Sequence, residues 1–97
     1  MDDKRILGVI RLYRLHFETN GIGITDLSEI NPPYSQNQIL EHCHGMLSKI
    51  ESFIKEGGRT GKVFRWLGYI QGCLCSTNQF SLEDLKNHNR PDSSLLL

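Results

Sequence analysis

The sequence lacks a net charge, a long apolar segment and a set of paired cysteines. Eleven Lys and Arg residues balance eleven Asp and Glu residues, so the chain has no overall basic field of the kind that usually accompanies nucleic-acid binding. No stretch approaches the roughly 20 apolar residues that a membrane-spanning helix needs. Three cysteines, an odd number, favour free thiols in a reducing compartment. We expect a cytoplasmic protein with no membrane segment. A DNA-binding role is a third-ranked alternative, since short helices are compatible with it but the neutral charge is unfavourable.

Catalytic motifs are missing as well. The turn from Gly57 to Lys62 has the glycines and the lysine of a phosphate-binding loop, but it lacks the four-residue spacer and the Ser or Thr after Lys62. It also follows a predicted helix, whereas a phosphate-binding loop follows a strand. No cysteine has a base at an identifying spacing, and no pair of carboxylates is placed for acid–base chemistry. We therefore predict that the chain is not an enzyme and holds no cofactor.

Two clusters of potential metal ligands have unsuitable spacing. His42-Cys43-His44 are consecutive, and neighbours on a helix point about 100° apart. Cys73 and Cys75 point about 200° apart on a helix and are one residue short of the common two-residue spacer. We predict no metal site, and a zinc site completed by His16 or His88 is the alternative.

The spacing of apolar residues indicates one helical domain. A chain of 97 residues can bury a single core, and intervals of three and four between apolar residues are typical of helices. We predict an all-α fold, a small helical bundle in which an N-terminal helix and a loop precede an antiparallel helical hairpin and a short C-terminal helix. The domain covers residues 1–90, and residues 91–97 form a C-terminal tail.

Capping signals set the predicted boundaries. We expect helices from Asp2 or Asp3 to about Thr19, between Ser35 and Gly57, from Arg59 or Thr60 onward, and from Leu82 to His88. Ser35 with Gln38, and Ser81 with Asp84, match the capping-box pattern. The loop, residues 20–34, is interpreted as a lid over one end of the core, with Thr25 capping one helical turn. Its expected apolar anchors are Ile22, Ile24, Leu27 and Ile30.

The third helix has two different faces. Its apolar face comprises Val63, Leu67, Ile70 and Leu74, and the opposite side carries Gly61, Gly68 and Gly72. Each glycine in a helix costs roughly 1 kcal/mol relative to alanine, so the stripe predicts a close backbone approach. Three occupants are open: the first helix, a second copy of the chain, and a ligand.

Basic and aromatic residues mark further candidate surfaces. Free amides at the start of the third helix form a candidate anion site, and an ordinary charged turn is the alternative. Its predicted ligand residues are Arg59, Thr60, Lys62, Arg65 and Tyr69. Trp66 is a candidate anchor for a partner or a core residue. On the first helix, Arg11 and Arg14 share a face with Lys4, which is either solvated or contacts a partner.

Three segments carry a resemblance to a known group of proteins. They read HCHGMLSKIESFIKEGG, FRWLGYIQGCL and SLEDLKNHNRP and span His42 to Pro91. This half of the chain resembles small uncharacterised proteins of tailed bacteriophages and prophages, most specifically at residues 64–68 and 85–90. The first forty residues add little. The resemblance implies a phage accessory protein in the bacterial cytoplasm, and such proteins commonly bind and disable a host factor or sequester a defence signal.

Two functional hypotheses follow. The leading one is a non-enzymatic, phage-encoded helical protein that binds and inhibits a host protein, plausibly a bacterial defence component. Its expected contact residues are Gly61, Gly68, Gly72, Trp66, Arg11 and Arg14. The alternative is a homo-oligomeric sponge that sequesters a nucleotide-derived immune signal at the anion site.

Overall fold

Helices form all the regular structure that the computed structural model describes, which comprises residues 1–91 and 95. In these residues four α-helices are present: α1 (Asp3–Thr19), α2 (Gln36–Glu56), α3 (Thr60–Ser76) and α4 (Leu82–Asn89), with a 3-10 turn at Leu27–Glu29. The all-α prediction is therefore confirmed. None of these described helices is both long and apolar enough to cross a membrane. Most of the predicted tail lies outside the described residues.

Side-chain caps begin three of the helices as predicted. Asp2 caps α1 through its carboxylate. At α2 the Ser35 hydroxyl accepts from the Gln38 amide at 3.0 Å, and the Gln38 side chain accepts from the Ser35 amide at 2.9 Å. Ser81 and Asp84 make the same reciprocal pair at α4, at 3.0 and 3.1 Å. These bonds satisfy amides that the first helical turn leaves without a partner.

A tight glycine turn makes α2 and α3 an antiparallel hairpin. Gly57 and Gly58 have φ of 78° and 71°, the left-handed region that favours glycine. Next to the turn, the rings of Phe53 and Trp66 pack edge to face with centroids 4.9 Å apart. Further from the turn, the rings of His42 on α2 and Tyr69 on α3 face each other with centroids 6.3 Å apart. The paired positions therefore run in opposite directions along the two helices.

The core lies between α1, α2 and α3, with Leu85 added from α4. Its buried apolar residues are Ile6, Val9, Ile10, Leu12, Tyr13 and Phe17 of α1, Ile22 of the following loop, Leu40, Cys43, Met46, Leu47 and Ile50 of α2, and Val63, Leu67, Ile70 and Leu74 of α3. The predicted apolar face of α3 is thus confirmed. Burying each such large side chain contributes about 1.5 to 3 kcal/mol of favourable transfer free energy.

The loop between α1 and α2 differs from its prediction in two details. Ile22 and Leu27 are buried, but Ile24 is 65% exposed, because it lies on the surface of α2 and is covered from one side only. The 3-10 turn is capped by Asp26 and not by Thr25, since the Asp26 carboxylate accepts from the amide of Ser28 at 2.9 Å. The loop is held along the first half of α2.

Candidate functional site

The start of α3 carries the basic turn predicted as an anion site. Arg59 Nε lies 3.2 Å from a carboxylate oxygen of Glu56 on the last turn of α2. The Lys62 ammonium lies 4.5 Å from the centre of the Phe53 ring and 5.6 Å from that of Trp66. Both cations therefore have partners within their own chain. Trp66 is half-buried in this cluster, so it packs the hairpin and does not lie on the glycine side of α3.

The space beside this turn is small. A recess of about 70 Å³ is lined by residues 57–60 and also by Asp3, whose carboxylate repels an anion. Pockets that hold a drug-sized ligand measure roughly 300 to 1,000 Å³. Arg65 is exposed near Gly61, whereas Tyr69 lies about 14 Å further along α3 than Thr60 at 1.5 Å per residue. The structure brings the basic residues together but leaves Tyr69 apart from them.

The glycine stripe faces away from the rest of the described protein. Apart from the adjacent backbone of α3 itself, a methyl group placed at Gly68 or Gly72 meets no described atom within 4 Å, and one at Gly61 meets only the Arg65 guanidinium, at 3.8 Å. The interpretation that the first helix packs on the stripe is therefore wrong. The core residues of α3 lie on the opposite side, so α1 is kept away from the glycines.

Two aromatic side chains share this exposed side. Phe64 is 40% exposed and Tyr69 is 45% exposed. We call Gly61, Phe64, Arg65, Gly68, Tyr69 and Gly72 the open face of α3, in which Arg65 is an exposed cation between the glycines and Tyr69. At Gly72 the open face joins a shallow groove of about 440 Å³ between α3 and α4, where Leu82 is 60% exposed.

A different glycine makes the close approach that sequence reasoning assigned to α3. A methyl group at Gly45 of α2 would lie 3.0 Å from the Ile24 side chain and 3.5 Å from the carbonyl oxygen of Thr25. Gly45 therefore lets the loop lie against α2. The sequence did contain a signal for this close approach, because Gly45 is a single glycine in the middle of a long helical pattern.

The predicted basic strip on α1 is divided by the fold. Arg14 forms an ion pair with Glu51 of α2, with a second contact of 3.3 Å between Arg14 Nη1 and Glu51 Oε2. This contact, led by the hydrogen bond to Glu51, raises the pKa of Arg14. Arg11 and Lys4 are exposed. Arg14 therefore joins two helices, and only Arg11 and Lys4 remain on the surface strip.

The two neighbouring histidines of α2 hold the loop. His44 Nδ1 donates to the carbonyl oxygens of Ile22 and Gly23, at 2.9 and 3.0 Å. His42 Nδ1 accepts from the amide of Leu27 at 3.2 Å. Within the described part of the chain, no group of three or more His, Cys, Asp and Glu residues is arranged to hold a metal ion. The histidine cluster thus has a structural role that its spacing did not reveal.

Two of the cysteines lie together between α2 and α3, next to Tyr69. Cys43 is fully buried, and its interaction with Cys73, followed by burial, raises its pKa. The interaction with Cys43 and, to a smaller extent, that with Tyr69 together lower the pKa of Cys73 to about 7, against the effect of burial. Burial, followed by its bond to Cys73, raises the pKa of Tyr69 to about 12. Cys75 is half-buried and does not take part in these bonds.

A hydrogen-bonded cluster joins α1, α3 and α4. The Tyr13 hydroxyl lies 2.9 Å from His88 Nδ1 and accepts from Gln71 Nε2 at 3.0 Å. Gln71 also exchanges hydrogen bonds with Asn89, at 2.8 and 3.1 Å. Arg5 donates to the carbonyl oxygens of Asn87 and His88 at 3.0 and 2.8 Å. Burial, the largest cause, lowers the pKa of His88 and raises that of Tyr13.

This cluster was not foreseen from the sequence. Its hydrogen bonds join residues 18 to 83 positions apart, and no local pattern predicts such pairs. The one signal was the tyrosine at a core position of α1, since a buried phenol hydroxyl usually has a partner. Among the described residues, no buried side-chain nitrogen or oxygen lacks a hydrogen bond. The cluster is therefore satisfied internally.

Comparison with known proteins adds no family assignment. No family model matches the chain, and neither the curated proteins nor the solved structures include a significant match.

Proposed function

We propose that the chain is a non-enzymatic, phage-encoded protein that binds and inhibits a host protein, plausibly a bacterial defence component, through the open face of α3. Phage origin rests on the resemblance of residues 42–91. The proposed binding of a host protein rests on the open face of α3.

The cost of the glycines supports this role. Each of Gly61, Gly68 and Gly72 costs roughly 1 kcal/mol in a helix, and no close contact within the described fold offsets it. A partner helix or strand that lies directly on the α3 backbone would make use of the missing side chains. Phe64 and Tyr69 flank the glycines and supply the apolar and aromatic surface that is enriched in binding hot spots.

The other candidate polar residues already have partners within the chain, and this also supports the open face as the binding surface. His42 and His44 bind the loop, Arg14 pairs with Glu51, and the Tyr13 cluster is satisfied. These residues already have structural partners. The open face is the described surface that combines exposed aromatic rings with an uncovered helix backbone.

The test compares two leucine substitutions on exposed helix positions. Gly68→Leu fills the open face, and Ser52→Leu places the same side chain on the exposed surface of α2. Both variants and the parent are affinity-purified from bacterial cells, and the associated proteins are identified by mass spectrometry. We expect one host protein to accompany the parent and Ser52→Leu but not Gly68→Leu. Calorimetry with that purified protein should show binding weakened about tenfold or more by Gly68→Leu.

Inhibition is measured separately, by adding the chain to the purified host protein and following that protein's own activity. Loss of activity with the parent and its retention with Gly68→Leu are expected. The proposal is contradicted if Gly68→Leu retains every partner, or if light scattering shows a parent oligomer that Gly68→Leu dissociates. In the second case a further copy of the chain occupies the open face.

The nucleotide sponge is the alternative. The recess of about 70 Å³ and the internal partners of Arg59 and Lys62 leave little room for a nucleotide on one copy of the chain. A nucleotide would therefore need a pocket formed between copies. Thermal shifts with cyclic dinucleotides or ADP-ribose derivatives, together with an oligomer in solution, would favour the sponge over the host-protein inhibitor.

A further inference from the structure

We propose that the groove along α1 that holds Leu95 is a binding surface for a peptide segment in which a leucine lies beside carboxylates, and that Leu95 covers this groove in the free chain. The α1 groove consists of Lys4, Leu7, Gly8, Arg11 and Leu15. It does not include the open face of α3, so this inference is independent of the proposed binding of a host protein.

Leu95 lies on Gly8, the one glycine of α1. Its side chain is half-buried and packs against the core residues. A methyl group at Gly8 would lie 2.9 Å from Leu95 Cδ1, closer than side chains normally approach. A glycine inside a helix is destabilising relative to alanine, so its presence is typical of a close approach. The missing side chain of Gly8 leaves the space that Leu95 occupies.

The α1 groove continues on both sides of Leu95. Toward the start of α1, a recess of about 520 Å³ lies beside Leu95 and is bounded by Lys4 and Arg11. Toward Leu15, a second recess of about 240 Å³ is also bounded by Leu95 and Arg11. Leu95 therefore divides one groove into two parts. Pockets that hold a drug-sized ligand measure roughly 300 to 1,000 Å³, so the space left beside Leu95 is large enough for a further occupant.

The residues of the α1 groove lie on one face of the helix. Lys4, Gly8, Arg11 and Leu15 follow each other at intervals of four, three and four. From Lys4 to Leu15 this face is about 16 Å long at 1.5 Å per residue. Leu15 is 51% exposed at its far end. The groove therefore fits a short peptide segment with one apolar side chain in the place of Leu95 and another on Leu15.

The rim of the α1 groove is basic. Lys4 and Arg11 are exposed, and neither forms an ion pair with a described residue. Arg5 adds a third cation to the wall of the larger recess. Asp2 supplies the one carboxylate among the described residues that line it, and this group caps α1 by accepting from the Arg5 amide. Carboxylates on a partner would complement this rim, so the partner segment is acidic beside its leucine.

The chain's own sequence supplies the first probe, since Asp92 precedes Leu95 by three residues. A fluorescent, amidated peptide with the sequence of residues 91–97 is titrated with the parent and with Leu95→Ala protein, and binding is followed by fluorescence anisotropy. We expect Leu95→Ala to bind the peptide about tenfold tighter than the parent, because the parent binds only in the fraction of molecules whose groove is uncovered.

Altered peptides and altered proteins test the chemistry, with the Leu95→Ala protein as the background. A peptide with Ser93→Glu and Ser94→Glu should bind about threefold tighter than the unaltered peptide, and added salt should reduce this gain. A peptide with Leu95→Ala should bind about tenfold weaker. In the protein, Arg11→Glu should weaken binding of the glutamate peptide. Lys55→Glu is the control, since it makes the same charge change on the exposed surface of α2 and should leave binding unchanged.

Gly8 tests the contact with Leu95 directly. Gly8→Ala should raise Tm more in the Leu95→Ala chain than in the parent, since only the parent carries a leucine 2.9 Å from the new methyl group. In the Leu95→Ala background, Gly8→Leu should fill the groove and abolish binding of the peptide. Circular dichroism checks that this variant keeps the helix content of the parent.

Four results would overturn the proposal. Equal affinity of the peptide for the parent and Leu95→Ala, unchanged by Gly8→Leu, would place the peptide elsewhere on the protein. A glutamate peptide that binds no tighter than the unaltered one would contradict an acidic partner. A Leu95→Ala dimer in light scattering would assign the groove to a second copy of the chain. Retention by vesicles of anionic lipid, without binding of either peptide, would assign it to a membrane surface.

Discussion

Two of the contacts between helices differ in kind, and we call the contact of α2 with α3 and that of α1 with α4 the two seams. The α2–α3 seam is local and largely apolar, with Leu47, Ile50, Leu67 and Ile70 fully or almost fully buried. The contact of α1 with α4 joins distant parts of the chain through hydrogen bonds and stacked rings, centred on His88. Apolar burial is non-directional and scales with area, whereas the α1–α4 contact requires each polar atom to find its partner. The first seam therefore stabilises the fold through buried apolar area, and the second fixes where α4 docks.

The apolar seam is broken most directly by Leu67→Ala. Leu67 is 2% exposed, so the substitution leaves a cavity within the hairpin core. We expect a loss of about 2 to 5 kcal/mol in the free energy of unfolding, measured by urea denaturation. Leu82→Ala is the control, since Leu82 is 60% exposed and its truncation should change stability by about 0.5 kcal/mol or less. Equal losses for the two variants would show that the core face of α3 is wrongly assigned.

The polar seam should respond to pH through His88. Burial lowers the pKa of His88 in the folded chain, with Arg5 adding to this effect and Asp84 opposing it, while the Tyr13 hydroxyl contacts the ring. An unfolded histidine has a pKa of about 6.5. The unfolded state therefore binds the proton more readily, so the contribution of His88 is full above about pH 6.5 and is lost as the pH falls through the folded pKa.

The measurement is the free energy of unfolding as a function of pH. His88→Asn removes the titrating ring and keeps a polar group near the Tyr13 hydroxyl. Between about pH 7 and pH 5, we expect the parent to lose more stability than this variant, by less than Leu67→Ala costs. Parallel pH profiles for the two proteins would contradict a buried neutral His88.

The smallest expected effect, and one of opposite sign, is at Gly68, which belongs to neither seam. An alanine methyl group there meets no described atom within 4 Å, so Gly68→Ala should stabilise the chain by about 0.5 to 1 kcal/mol through helix propensity. Gly45→Ala is the matched control. Its methyl group would lie 3.0 Å from Ile24, so thermal denaturation should show a smaller gain or a loss. A destabilised Gly68→Ala chain would mean that the open face is covered by another molecule.

Local signals predicted most of the fold. Ser35 with Gln38, and Ser81 with Asp84, placed the starts of α2 and α4, because a capping box depends on residues three positions apart. The spacing of Val63, Leu67, Ile70 and Leu74 gave the buried face of α3 for the same reason. Both patterns lie within a few helical turns, so the sequence alone contains them.

Contacts between distant residues were not predictable in this way. The sequence placed glycines opposite the core face of α3, but it did not say whether another helix lies there. His42 and His44 were compared with metal ligands because their spacing does not reveal the loop carbonyl and amide groups that they contact. Phe53 and Trp66 lie on facing helices, and only the register of the hairpin brings their rings together.

The two seams join residues at different separations along the chain, and this difference predicts the order in which the helices assemble. The hairpin closes through a turn of a few residues, so its contacts form at low cost in loop entropy. The bond from Arg5 to the carbonyl of His88 closes a separation of 83 residues and needs α1 already in place. We therefore expect α4 to dock last during refolding. The segment that docks last through few contacts is also the first to open in the native state, so the backbone amides of α4 should exchange with deuterium before those of α2.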